Sequence, residues 1–109
     1  MTRDALVARY RHVTGTVLPG LARADAKRWP VHADHCFQRI VLDTVCGGIW
    51  TDSIARPAYR HLSTDQAAQA VAISEDLVHG RRDIWALNRA SLAYRAARRA
   101  EPPAQARLL

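Results

Sequence analysis

The chain has 109 residues, 49% of them apolar and 24% charged, which excludes a disordered chain and leaves room for one hydrophobic core but not two. The formal charge of +6 is compatible with a polyanionic partner, yet the excess is arginine scattered along the chain, with Lys27 the single lysine. No apolar run approaches the roughly 20 residues that span a bilayer and Met1-Thr2-Arg3-Asp4 does not open a signal peptide, so a cytoplasmic protein with no membrane partner is expected.

Periodicity near 3.6 recurs in every long segment, and the expectation is an all-α, single-domain bundle over residues 1–100, with a frayed tail over 101–109. The first helix is expected from Asp4 to Val13, capped by Thr2 and ended by Thr14-Gly15. A second stretch, Val17 to Arg28, is interrupted by Pro19-Gly20 and closes at Trp29-Pro30, because the residue before proline is pushed out of the helical region.

A central, nearly buried helix should start at Asp34, as a cap, and stop at Gly47-Gly48. Phe37, Ile40, Val41, Thr44 and Val45 fill one side of it, with Leu42 and Cys46 adding apolar surface on much of the other. Residues 49–62 read as irregular and site-bordering, with Pro57 opening a one-turn helix to Leu62. Ser63-Thr64-Asp65-Gln66 has the spacing of a capping box, so a helix follows it and ends at Gly80. The last helix, Arg82 to Arg99, sets Ile84, Trp85, Leu87, Leu92 and Tyr94 against the core, with Asn88 and Ser91 among them. The bundle thus has about four main helices plus short ones around the central helix.

The polar content of that central helix is the main functional signal, because burying unpaired charge costs several kcal/mol. Cys36 in its first turn has the helix dipole to favour a thiolate, and His32 or His79 could act as base with Asp34 or Asp43 orienting it, a better placement than His35, which as the adjacent residue points about 100° away. The bland alternative is a small core thiol. Cys36 and Cys46 would stand roughly 15 Å apart at about 1.5 Å per residue, too far for a disulfide. A metal is not assigned: His32, Asp34, His35, Cys36 and His79 are ligand types, but they lack the two separated clusters of a structural zinc site.

Arg39 and Asp43, four residues apart, can pair; either they form an internal salt bridge, or Arg39 reaches an anionic group while Asp43 steadies the guanidinium. Trp50, directly after a glycine pair, could close over a pocket, and Trp85 could share its wall. Asn88, if buried, needs a partner that Asp34, Arg39 or Asp43 could supply.

Trp29-Pro30-Val31, Asp34-His35-Cys36-Phe37-x-Arg39-Ile40-x-Leu42-Asp43, Gly47-Gly48-x-Trp50 and Leu87-Asn88-Arg89-x-Ser91-Leu92 together resemble a small microbial family of about this length, uncharacterised in function. Its proteins often carry the label of GNAT-type N-acetyltransferases. The resemblance covers most of the chain and implies that these polar residues are a signature of a site. The label itself implies a larger α/β fold with acetyl-CoA on a Q/R-x-x-G-x-G/A loop, whereas this chain reads without that loop and without strands.

The leading expectation is therefore a small-molecule site on the central helix. In it Asp34, Arg39, Trp50, Trp85 and Asn88 bind an anionic ligand, and Cys36, His35 and Asp43 are the candidate catalytic groups; the residues leave open whether a cofactor takes part. The alternative is a basic helical module that binds nucleic acid or a partner protein, with Arg81, Arg82, Arg95, Arg98 and Arg99 as phosphate contacts and the central residues structural. Homo-oligomerisation is compatible with either.

Overall fold

Thr2 begins the fold as expected, its side chain accepting the Ala5 amide at the start of α1 (Arg3–His12). The computed structural model describes residues 1–102 of the chain, so the tail expected over 101–109 lies, beyond Pro102, outside the described residues. Thr14-Gly15 does not end the first helix. The rod continues through a π turn, Val13–Val17, into α2 (Leu18–Ala24), and the Leu18 amide donates to the Val13 carbonyl five residues back. Thr14 is fully buried there and its hydroxyl donates to the Tyr10 carbonyl at 2.8 Å. Pro19 falls in the first turn of α2, where the ladder is already widened and a residue without an N–H is tolerated.

The central helix, α3 (Asp34–Cys46), has the expected bounds, and Gly47 ends it in the left-handed region at φ 65°, a conformation open to glycine. Its cap differs from expectation. Ala33 occupies the N-cap, and the Asp34 carboxylate instead accepts the adjacent His35 amide at 2.6 Å. Phe37, Ile40, Val41 and Leu42 are buried, and the Trp29 ring meets Phe37 edge-on at 5.9 Å.

A short turn at Trp50–Asp52 leads to α4 (Ala58–His61), for which Pro57 is the N-cap rather than the first helical residue. Arg3 ties this segment to α1: its Nε donates to the Leu62 carbonyl at 2.7 Å and its Nη2 to the Tyr59 carbonyl at 3.1 Å. Ser63 and Gln66 form the reciprocal capping box that opens α5 (Thr64–Val78), whose Ala67, Ala70, Ile73, Ser74 and Leu77 are buried. Gly80, at φ 69°, follows its end.

The last helix, α6 (Ile84–Ala100), starts two residues later than expected because Asp83 is its cap, accepting the Trp85 and Ala86 amides. It packs on α3, so only a narrow stripe is covered: Ile84 and Ser91 are buried. Trp85 and Leu92 do not join the core; they are 45% and 49% exposed, because they lie one position, about 100°, around the helix from Ile84 and Ser91. Among the described residues there is no strand, and the chain is an all-α single domain. The α/β architecture implied by an acetyltransferase label is not formed. No described helix is long and apolar enough to cross a membrane.

Candidate functional site

Two features of α3 organise the region marked out in the sequence: a polar seam against α6 and a groove against α1 and the 50–59 segment. The seam is centred on Asp43, which is completely buried. Its carboxylate accepts the Trp50 amide at 3.0 Å and the Ser91 hydroxyl at 2.5 Å, and it pairs with the Arg95 guanidinium. Arg39 does not pair with Asp43, against the expected internal salt bridge and equally against the expectation that Asp43 holds the guanidinium directly; the two are linked through Ser91. Arg39 donates through Nη1 to Ser91 Oγ at 2.5 Å and through Nη2 to Asn88 Oδ1 at 2.8 Å. The four-residue spacing permits the Arg39–Asp43 pair, but Asn88, Ser91 and Arg95 line one face of α6 and interleave with the two acceptors and donors of α3. Ser91 stands between Arg39 and Asp43, giving its proton to one and receiving from the other. Asn88 thus finds its expected partner in Arg39.

The groove, of about 500 Å³, also counts Arg39 among its lining residues. Arg11 from α1 and Arg56 from the irregular segment reach the same groove, as do Trp50 and Tyr59. The Arg11 guanidinium carbon lies 3.9 Å from the Tyr59 ring centroid, and that of Arg56 5.5 Å from Trp50. Such stacking holds a guanidinium by its face and leaves the N–H edges for hydrogen bonding. Among the described residues neither Arg11 nor Arg56 has an ion-pair partner. Asp34 and His35 border the groove, with Asp34 Oδ1 3.5 Å from His35 Nδ1. The walls are positioned from below: Asp43 holds the Trp50 backbone, and Arg3 holds that of Tyr59.

Of the residues singled out in the sequence, the groove therefore gathers Asp34, His35, Arg39 and Trp50. Asp43 and Asn88 lie behind it, in the seam. Cys36 is a half-buried free thiol that does not line it. Trp85 belongs elsewhere: it donates its indole N–H to the Arg28 carbonyl at 3.1 Å and lines a second groove with Trp29 and His79. His32 Nε2 is 3.1 Å from the Ala26 carbonyl. No three described His, Cys, Asp or Glu residues come together as a metal ion would require.

Sequence reasoning missed Arg11, Arg56 and Tyr59. Arg11 sits on the exposed side of an amphipathic helix, where periodicity carries no information. Arg56 and Tyr59 flank Pro57 in the segment already read as site-bordering, and an arginine–proline–aromatic cluster was the signal available there.

The arginines expected to contact phosphate are largely engaged within the molecule. Arg81 and Arg82 both bind Asp76, at 2.8 and 2.9 Å, Arg95 binds Asp43, and Arg98 binds Asp52 at 2.5 Å. The Asp76 carboxyl is held below its usual range by hydrogen bonds from Arg81 and Arg82. Burial pushes the Cys46 thiol up, and the Asp43 charge adds to this; burial likewise raises the Tyr10 phenol. No family model, no curated protein and no solved structure matches this chain.

Proposed function

We propose that this protein binds an anionic small molecule in the groove between α1, α3 and the 50–59 segment. The observation that carries this reading is the convergence of Arg11, Arg39 and Arg56, from three separate elements, on one concavity. Three guanidiniums gathered with a single carboxylate, that of Asp34, repel one another, and a bound anion relieves that repulsion through charge-assisted hydrogen bonds. Arg39, steadied by Asn88 and Ser91, is the fixed member; Arg11 and Arg56 are oriented by their rings. Trp50 and Tyr59 form the walls, and Asp34 and His35 border the opening. The seam behind α3 is structural in this reading, so Asp43 acts by holding Trp50 and α6 rather than by touching ligand.

A basic surface for nucleic acid is the weaker reading, because Arg81, Arg82, Arg95 and Arg98 already have carboxylate partners.

The test uses Trp50 as reporter. In a Trp29→Phe/Trp85→Phe background, Trp50 fluorescence is titrated with inorganic phosphate, acetate, citrate and succinate. Saturable change with at least one of them, lost in Arg11→Gln/Arg56→Gln with the fold retained by circular dichroism, is the expected result. Absence of any saturable response, or a response unchanged in the double variant, would sink the reading.

A further inference from the structure

We infer that the groove selects a compact, non-aromatic dianion; the inference rests on the anion-binding reading above and specifies its ligand. Charge comes first. Arg11, Arg39 and Arg56 face one carboxylate, that of Asp34, across the groove, so two positive charges are left unbalanced when His35 is neutral. A monoanion leaves one of them uncompensated in a concavity where water screens less than in bulk, whereas a dianion satisfies both.

Hydrogen-bonding capacity agrees with this. Arg39 spends one N–H on Ser91 and one on Asn88, leaving three of its five donors. Arg11 and Arg56 are engaged through their faces on Tyr59 and Trp50, so their donor edges are uncommitted among the described residues. Such a donor-rich surface suits a ligand with several oxyanion acceptors, as a phosphate monoester or a short dicarboxylate has.

The same stacking argues against an aromatic ligand. Of the tyrosine and tryptophan rings that line the groove, Tyr10 is buried in the core, and Trp50 and Tyr59 each carry a guanidinium over the face, with Arg60 a second neighbour of Tyr59 at 5.8 Å. The rings serve to orient arginines rather than to sandwich a planar group, so a base or phenyl substituent gains little there.

The experiment compares twins that differ in one property, titrated by calorimetry into the full-length protein at low ionic strength and pH 7.5. Succinate is set against succinamate, and glycerol 3-phosphate against its methyl diester; each pair keeps its frame and loses one charge. At least one dianion should bind about tenfold or more tightly than its twin, since one charge-assisted contact is worth that much. Which pair responds identifies dicarboxylate or phosphoryl as the source of the charge. Phenyl phosphate should bind within about threefold of ethyl phosphate. Arg56→Gln, an exposed substitution, should erase most of the preference for two charges, and Asp34→Asn should tighten binding of every anion.

Twins that bind equally in both pairs, with binding still lost in Arg11→Gln/Arg56→Gln, would overturn the dianion inference and leave the anion groove standing. A tenfold gain for phenyl phosphate would overturn the non-aromatic part. If no probe binds, the groove reading and this inference both fail.

Discussion

Asp43 and Arg95 pair across the seam between α3 and α6 unequally: the carboxylate side chain is 1% exposed and the guanidinium 26%. The two ends therefore respond differently to loss of their partner. Removing Arg95 strands a buried negative charge, whereas neutralising Asp43 leaves a guanidinium that water can still reach. Arg95→Ala should destabilise by about 2–4 kcal/mol, and Asp43→Asn by less, about 1–2 kcal/mol, since the amide oxygen still accepts from one of the two donors, Trp50 or Ser91, and no charge is left buried. Urea denaturation of both variants decides the order; a larger loss for Asp43→Asn would contradict this account of the seam.

Acid should weaken the contact between α1 and α5 in a defined direction. Arg9 Nε donates to Glu75 at 2.5 Å and holds its carboxyl below the usual value of 4.5. A depressed folded-state pKa contributes stability that is fully present above the ordinary value and is lost as the pH falls through the lower one. The pair is solvent-accessible, so its share is small. Arg9→Gln should lose a little stability near neutrality and none at a pH below the folded Glu75 value, which thermal melts across pH 2–7 would reveal. A deficit that persisted at the acid end would point to lost packing instead.

The two cysteines should differ in chemistry. Burial raises the Cys46 thiol, with Asp43 reinforcing the shift, so little thiolate is present at neutral pH. In a Cys36→Ser variant, iodoacetamide should react with Cys46 more slowly at pH 8 than with free cysteine, and the pH–rate midpoint should lie above that of free cysteine measured in parallel. A midpoint at or below that value would remove the argument.

Ser63 and Gln66 bind each other's backbone amides at 3.0 and 2.9 Å. Ser63→Ala should cost about 1 kcal/mol, and Gln66→Ala, which leaves the serine bond intact, should cost less. Chemical denaturation measures both, and equal neutrality would mean that tertiary contacts of α5 suffice without the box.

Much of this architecture was legible in the sequence because it rests on local rules. The Ser63–Gln66 spacing, Gly47 after Cys46 and Gly80 after α5 each answer a backbone requirement that neighbours alone dictate. The pairings of Arg39 and Asp43 were not legible, since four-residue spacing offers them each other and only the docking of α6 supplies better partners. Trp85 and Leu92 misled for a related reason: apolar residues on a helix announce a stripe, but how wide a stripe is covered depends on how many neighbours the helix has. Arg11 joined the groove through tertiary approach, which leaves no periodic trace.

The π turn at Val13–Val17 makes the first two helices one rod with a change of phase. One additional residue in a turn offsets all that follows by about 100°, and the offset here is what brings Leu18 and Ala22, both without exposed surface, onto the side of the core that Val7 and Tyr10 face. A single-residue deletion within 13–17 would remove the extra residue and restore ordinary α bonding with Leu18 and Ala22 still on that side, whereas drawing the turn back to α bonding at the present length would rotate them by about 100°. The segment should therefore accept the loss of one residue more readily than the gain of another, because a deletion only removes the widened turn while a further residue must be absorbed by a second one or else shift the rest of the rod out of register.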